Sequence, residues 1–214
     1  MGTIVNGING GVSGKTGSVI GSSWKSINYL KGLYKKSNKP ATEEQLINQA
    51  KFKLVMRFLL PITSYLQIGF GQKKADRQTP VNAAFQFNLP LVVQGAYPNF
   101  VLDYSKIRIS DGTFYLAPAQ TPVYANEELT VSWDVANNDV YKSADDDGVY
   151  IICYHPELDE FLAPATVPTR SMGTVTFGVP AHLLGGEVHV WMFMADRKKK
   201  RVSKSGYLGL IQLS

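Results

Sequence analysis

A single cysteine, Cys153, stands among 214 residues. That scarcity removes an internal disulfide as a source of stability, so any β-domain here must be held by burial. Cys153 lies in the apolar run 149–154, where it reads as a small buried hydrophobe rather than a nucleophile. Histidine is nearly as sparse. His155, His182 and His189 share no ligand spacing, and the zinc patterns are missing. No apolar run approaches the ~18 residues of a membrane span. The first residues lack the charged, apolar and small-residue succession of a signal peptide, which favours a cytoplasmic or virion-like setting. Neither a Gly-x-Ser-x-Gly elbow nor a His-Glu-x-x-His motif occurs. Catalysis therefore has no carrier, and no cofactor or metal is expected.

Charge is present in quantity but unevenly placed. The net charge is +5. Residues 1–80 hold twelve Lys and Arg against three Asp and Glu, whereas residues 81–214 hold ten against fourteen. Six of those ten fall between Arg197 and Lys204. A basic front on a more acidic back points to head-to-tail self-association, or to attachment of the front to an anionic partner.

The front is rich in glycine and lysine. Gly14-Lys15-Thr16 has the look of a phosphate-binding loop, but that motif needs a glycine five residues earlier, and position 9 is Asn9. Gly17 and Gly21 flank β-branched Val19 and Ile20 and argue against the helix that a phosphate loop requires. An extended arm fits better, either single or as a hairpin turning near Gly21 to Ser23. Lys15, Lys25, Lys31, Lys35 and Lys36 interleave with Trp24, Tyr29 and Tyr34. Such a series suits docking onto another molecule. It also suits single-stranded nucleic acid, with aromatics stacking bases and lysines tracking phosphates.

Behind the arm, Thr42 followed by Gln45 has the form of a capping box, and Glu43 and Glu44 suit a helix N-terminus. Ile47, Ala50, Lys51, Leu54, Val55 and Phe58 keep helical spacing, which predicts a helix over 43–60. A short second helix is expected over 62–68. Thr79-Pro80 can start a further short one, with Pro90 and Pro98 breaking the chain behind it.

From Asn99 the pattern is β. Strands are expected at 100–104, at 106–109 turning at Ser110-Asp111-Gly112 into 114–116, and at 129–135 through Leu129, Val131, Trp133 and Val135. Others are expected at 149–154, 161–162, 172–179, 187–195 and 207–213. The run 187–195 is bulky on both faces, so it should be central. Seven to nine short strands predict a sandwich. The fold class is mainly β: an immunoglobulin-like β-sandwich preceded by a Gly/Lys-rich β arm and one or two helices. The divisions are 1–39 for the arm, 40–98 for helix and connector, and 99–214 for the sandwich. Asp145-Asp146-Asp147 reads as a solvated turn, Asp159-Glu160 as a hairpin whose carboxylates lack a cleft, and 197–201 as a charged tip.

The series from Gly11 to Gly17, followed by Trp24-Lys25, Lys39-Pro40-Ala41-Thr42, Gln45 and Lys51-Phe52, resembles a family of short Bacteroidetes proteins of unknown function. The resemblance spans nearly the whole chain and implies no activity, cofactor or catalytic residue. The expected function is that of a non-catalytic structural or interaction protein, such as a virion, appendage or surface-assembly subunit. It would assemble through Lys15, Trp24, Lys25, Tyr29, Lys31, Tyr34, Lys35 and Lys36, with the helix, as a homo-oligomer or larger assembly. The alternative is a nucleic-acid-binding accessory protein using the same basic segment.

Overall fold

The computed structural model describes residues 3–4, 11–24, 27–35, 39–72 and 78–214. Among these described residues the fold is mainly β, with several antiparallel sheets and three α-helices. The backbone falls into two units, Met1–Thr42 and Glu43–Ser214, beside the divisions near 39 and 98 drawn from the sequence.

The first unit is a four-stranded antiparallel sheet of β1 (Thr3–Ile4), β2 (Val12–Thr16), β3 (Val19–Trp24) and β4 (Ile27–Gly32), in that order. The expected hairpin turn at Gly21 to Ser23 does not exist, because those residues lie inside β3. The chain turns at Gly17-Ser18 instead, between paired Thr16 and Val19. Gly17 takes φ 58° there, a value that two-residue hairpin turns require and glycine adopts without penalty. Gly21 is needed for another reason. A Cβ at that position would drive into the Val12 carbonyl, which crosses directly over it.

The second unit is built around two strands, β9 (Gly148–His155) and β12 (Glu187–Ala195). They pair antiparallel, His189 with Tyr154 through Ala195 with Gly148. The short β10 (Glu160–Leu162) and the long β13 (Gly206–Gln212) flank them, giving the order β10-β9-β12-β13. Strand alternation sends successive side chains to opposite faces, and each face has its own cover. Val149, Ile151, Cys153, Val190, Met192 and Met194 meet Leu129, Val131 and Trp133 of a second sheet. That sheet is β11 (Thr174–Gly178), β8 (Glu128–Ser132) and β7 (Val123–Ala125), in the order β11-β8-β7. Tyr150, Ile152, Tyr154, Trp191 and Phe193 face the other way and pack in one core with Val55, Phe58, Leu59, Leu66 and Phe70 of the helical layer.

That layer contains α1 (Glu43–Leu59), α2 (Thr63–Gly69) and α3 (Pro80–Val92). α1 commits its inner stripe, Val55, Phe58 and Leu59, to the core. Phe58 touches Tyr154, Phe161 and Trp191 edge-on at 5.0–5.7 Å between ring centres. Thr79 caps α3 by accepting from the Asn82 N–H. Pro90 does not break α3 but lies within it. A hairpin of β5 (Val93–Ala96) and β6 (Asn99–Leu102) follows.

The expected strand at 106–109 and its hairpin into 114–116 are also absent. The Asn88 side chain takes the Arg108 N–H and carbonyl at 2.8 Å each. Ser205 takes the Ile109 N–H, and the Ser110 hydroxyl donates to the Ser203 carbonyl. With its backbone groups engaged by α3 and by 203–205, the segment has none left for a local hairpin. Gly112 belongs to this close approach, since a Cβ there would enter the Val202 carbonyl. Val135, expected inside with Trp133, is exposed beyond the end of β8. Among the described residues, no helix is long and apolar enough to cross a membrane.

Candidate functional site

Register decides which residues of the N-terminal sheet share a face. Lys15 pairs with Ile20 and Ile20 with Lys31, so these three form one row. Ser22 opposes Tyr29 in the next row, and Trp24 opposes Ile27 in the last. Pairs directly opposite point the same way, and rows two residues apart share that face. One face therefore gathers Lys15, Lys31, Tyr29 and Trp24. The other carries Val12, Val19, Gly21 and Leu30.

Most of these side chains are open to water. Trp24, Tyr29, Leu30 and Leu33 are exposed, and Tyr34 is 86% exposed. Lys15, Lys31 and Lys35 are exposed as well. Gly21 is the one buried residue among the described positions of this sheet. Lys25 and Lys36 lie outside the described residues. Of the predicted site residues, the register unites four on one face, while Tyr34 and Lys35 follow the end of β4.

The second unit holds the perturbed ionisable groups. Asp159 sits at the β9–β10 turn with φ 56°. It accepts from Arg57 Nε and from the Tyr154 hydroxyl at 2.7 Å each. Partial burial opposes its charge, but these two donors together hold its carboxyl below the usual range. Burial, and then the bond to Asp159, push the Tyr154 phenol up. His189 shares a 2.8 Å hydrogen bond with the Tyr207 hydroxyl and lies 4.4 Å from the Tyr104 ring centre. Burial lowers its pKa to about 4. Burial alone pushes up the Cys153 thiol, which fits a packed side chain. The two bonds to Asp159 tie α1 and the β9–β10 turn to β9.

Asp159 and Glu160 take different partners: Asp159 accepts from Arg57 and Tyr154, and Glu160 pairs with His182 at 2.7 Å. Asp147 departs from the expected solvated turn. It is 2% exposed and accepts from Arg170 Nε at 3.3 Å. Arg170 is fully buried, donates also to the Tyr115 carbonyl, and its own carbonyl accepts from Trp133 Nε1. The pair ties the loop before β9 to the turn before β11. No sequence signal separates Asp147 from its exposed neighbours Asp145 and Asp146. The basic run forms a loop organised by Asp196, whose carboxylate accepts from the Lys200 and Arg201 N–H groups. Arg201 bonds the Tyr141 and Lys142 carbonyls, leaving Lys198, Lys199 and Lys200 at the exposed tip. Among the described residues, no group of three or more His, Cys, Asp or Glu gathers as a metal site.

No curated protein and no solved structure matches the chain. The model of a family of unknown function, DUF6266, matches residues 11–209, from the first described glycine of the N-terminal sheet into the last strand, and the chain belongs to that family.

Proposed function

We propose that this chain is a non-catalytic structural protein that assembles with further copies of itself through its N-terminal sheet, as a virion, appendage or surface-assembly subunit. One observation carries the reading: among the described residues between 11 and 35, Trp24, Tyr29, Leu30, Leu33 and Tyr34 are exposed and only Gly21 is buried. Three or more strands need an apolar face against a partner to be stable on their own. The body supports the reading from the other side. The seven strands of its two facing sheets place the first, second and fifth on one sheet and the third, sixth and seventh on the other, with the short fourth beside the third. This alternation supports an immunoglobulin-like sandwich, a rigid platform with the helical layer as backing. α1 commits its stripe to that platform, so docking falls to the N-terminal segment: to Lys15, Trp24, Tyr29 and Lys31 in the sheet, to Tyr34 and Lys35 just after it, and to Lys25 and Lys36, which lie outside the described residues. Light scattering on the full chain and on residues 43–214 tests the proposal. The full chain is expected above monomer mass and the shorter one at monomer mass. A full chain that stays monomeric at high concentration overturns it.

A second reading rests on a separate observation. Lys15, Lys31, Tyr29 and Trp24 share one face, an arrangement that suits a single strand of nucleic acid. It predicts binding of a single-stranded oligonucleotide that weakens steeply with salt. No shift of the probe at low salt removes this reading.

A further inference from the structure

We propose that two copies join edge to edge along β4, so that their N-terminal sheets form one continuous sheet across a two-fold axis with Leu30 facing its twin. The inference rests on the assembly reading above and names its acceptor. β4 is the terminal strand of its sheet, and no described strand pairs with its outer side. In an antiparallel ladder, residues alternate between turning their backbone groups to one neighbour and to the other. The Leu33 N–H donates to the Ser18 carbonyl at 3.3 Å. By that alternation Ile27, Tyr29, Lys31 and Leu33 bond toward β3. The N–H and carbonyl groups of Asn28, Leu30 and Gly32 then point outward. Among the described residues this is an open strand edge, which proteins ordinarily cover or blunt.

Register selects the partner. A second strand that continues the sheet without exchanging its faces must pair residues of equal parity. Three two-fold arrangements centre on the middle of β4, placing Tyr29, Leu30 or Lys31 on the axis. Lys31 on the axis sets two lysines opposite each other, which is destabilising. Tyr29 on the axis sets Ile27 against Lys31 and pairs only 27–31. Leu30 on the axis pairs the whole of 27–33. It sets Leu30 against Leu30, Ile27 against Leu33, and Asn28 against Gly32. It also lays each Tyr29 beside Lys31 of the second copy, a cation over an aromatic face. Leu30, 62% exposed in the single chain, is then covered by its own counterpart, and about six backbone hydrogen bonds form.

The arrangement also brings like charges together. Residues 1–42 hold six lysines and no acidic residue. Screening relieves that repulsion, so edge pairing strengthens as salt rises. Head-to-tail contact with an acidic surface, and nucleic-acid binding, show the opposite trend.

The test uses the full chain. Leu30→Pro removes an outward N–H and leaves the bonds to β3 in place, a setting in which a strand tolerates proline. It is expected to reduce dimer to monomer. Leu30→Cys is expected to form a disulfide-linked dimer under mild oxidation, because directly paired Cα atoms lie ~5.5 Å apart, within disulfide range. Asn28→Cys faces glycine in the second copy and is expected to crosslink much more slowly. Wild-type dimer mass in L30P, or crosslinking of L30C no faster than that of N28C, overturns the edge pairing. If residues 43–214 are monomeric while L30P remains dimeric, assembly through the N-terminal sheet stands and the β4 edge falls. A monomeric full chain removes both.

Discussion

Both units are made of alternating antiparallel strands, yet they use them in opposite ways. In β12 every residue except Glu187 and His189 is buried, because a helical layer covers one face and a second sheet the other. In β4 no residue is buried and only Ile27 is half-covered. The contrast shows that a strand pattern does not make a core. Cover makes it, and the second unit supplies its own, whereas the first takes up its side chains without enclosing them. Stability should therefore reside in Glu43–Ser214 and association in Met1–Thr42.

Substitutions can break that contrast at its strongest points. Asp147→Ala should destabilise the second unit by ~3–5 kcal/mol, since it strands the buried Arg170 charge without its carboxylate. Trp191→Ala should cost about the same through the cavity it leaves. Trp133→Ala belongs in that range too, and it also frees the Arg170 carbonyl. Urea unfolding measures all three. The pH dependence is gentler. His189 binds its proton only near pH 4 when folded, against about 6.5 when unfolded. Its contribution is complete above pH 6.5 and is lost as pH falls toward 4, because the unfolded chain takes up the proton first. Allowing for the water that reaches this half-buried ring, the loss should be about 1–2 kcal/mol. His189→Gln should flatten unfolding midpoints between pH 6.5 and 4. At the small end, Tyr34→Ala should change stability by no more than ~0.5 kcal/mol, as surface substitutions do, because Tyr34 is 86% exposed, while lowering the apparent mass at fixed concentration. Gly21→Val sharpens the contrast further. It should disrupt the N-terminal sheet through the Val12 carbonyl and leave the thermal transition of the second unit in place.

The central strands were readable in the sequence because Trp191 and Phe193 on one side and Met192 and Met194 on the other demand cover on both faces. That same bulk was the clue to the helical layer. A sandwich needs one covered face per sheet, and the second bulky face called for α1, α2 and α3. α1 was legible from its acidic first turn and apolar stripe. The start of α3 was legible at Thr79-Pro80, but its length was hidden by Pro90, which the burial of Ala84, Asn88 and Val92 against the core overrides. The segment at 106–116 misled because its apolar alternation is real, with Ile107 and Ile109 buried. Its backbone partners, Asn88 and Ser205, are remote in sequence. The docking candidates were legible as residue types but not as a face. The β2–β3 register set by the turn at Gly17-Ser18, together with the β3–β4 register, places Lys15 and Lys31 on either side of Ile20.

Hydrogen exchange at several protein concentrations compares the two units within one sample. Amides of residues 43–214 are expected to be protected equally at every concentration. The outward amides of Asn28, Leu30 and Gly32 are expected to exchange fast in dilute protein and to become protected as concentration rises. Protection of those three amides that is already full in the dilute monomer would contradict the pairing of two copies along β4.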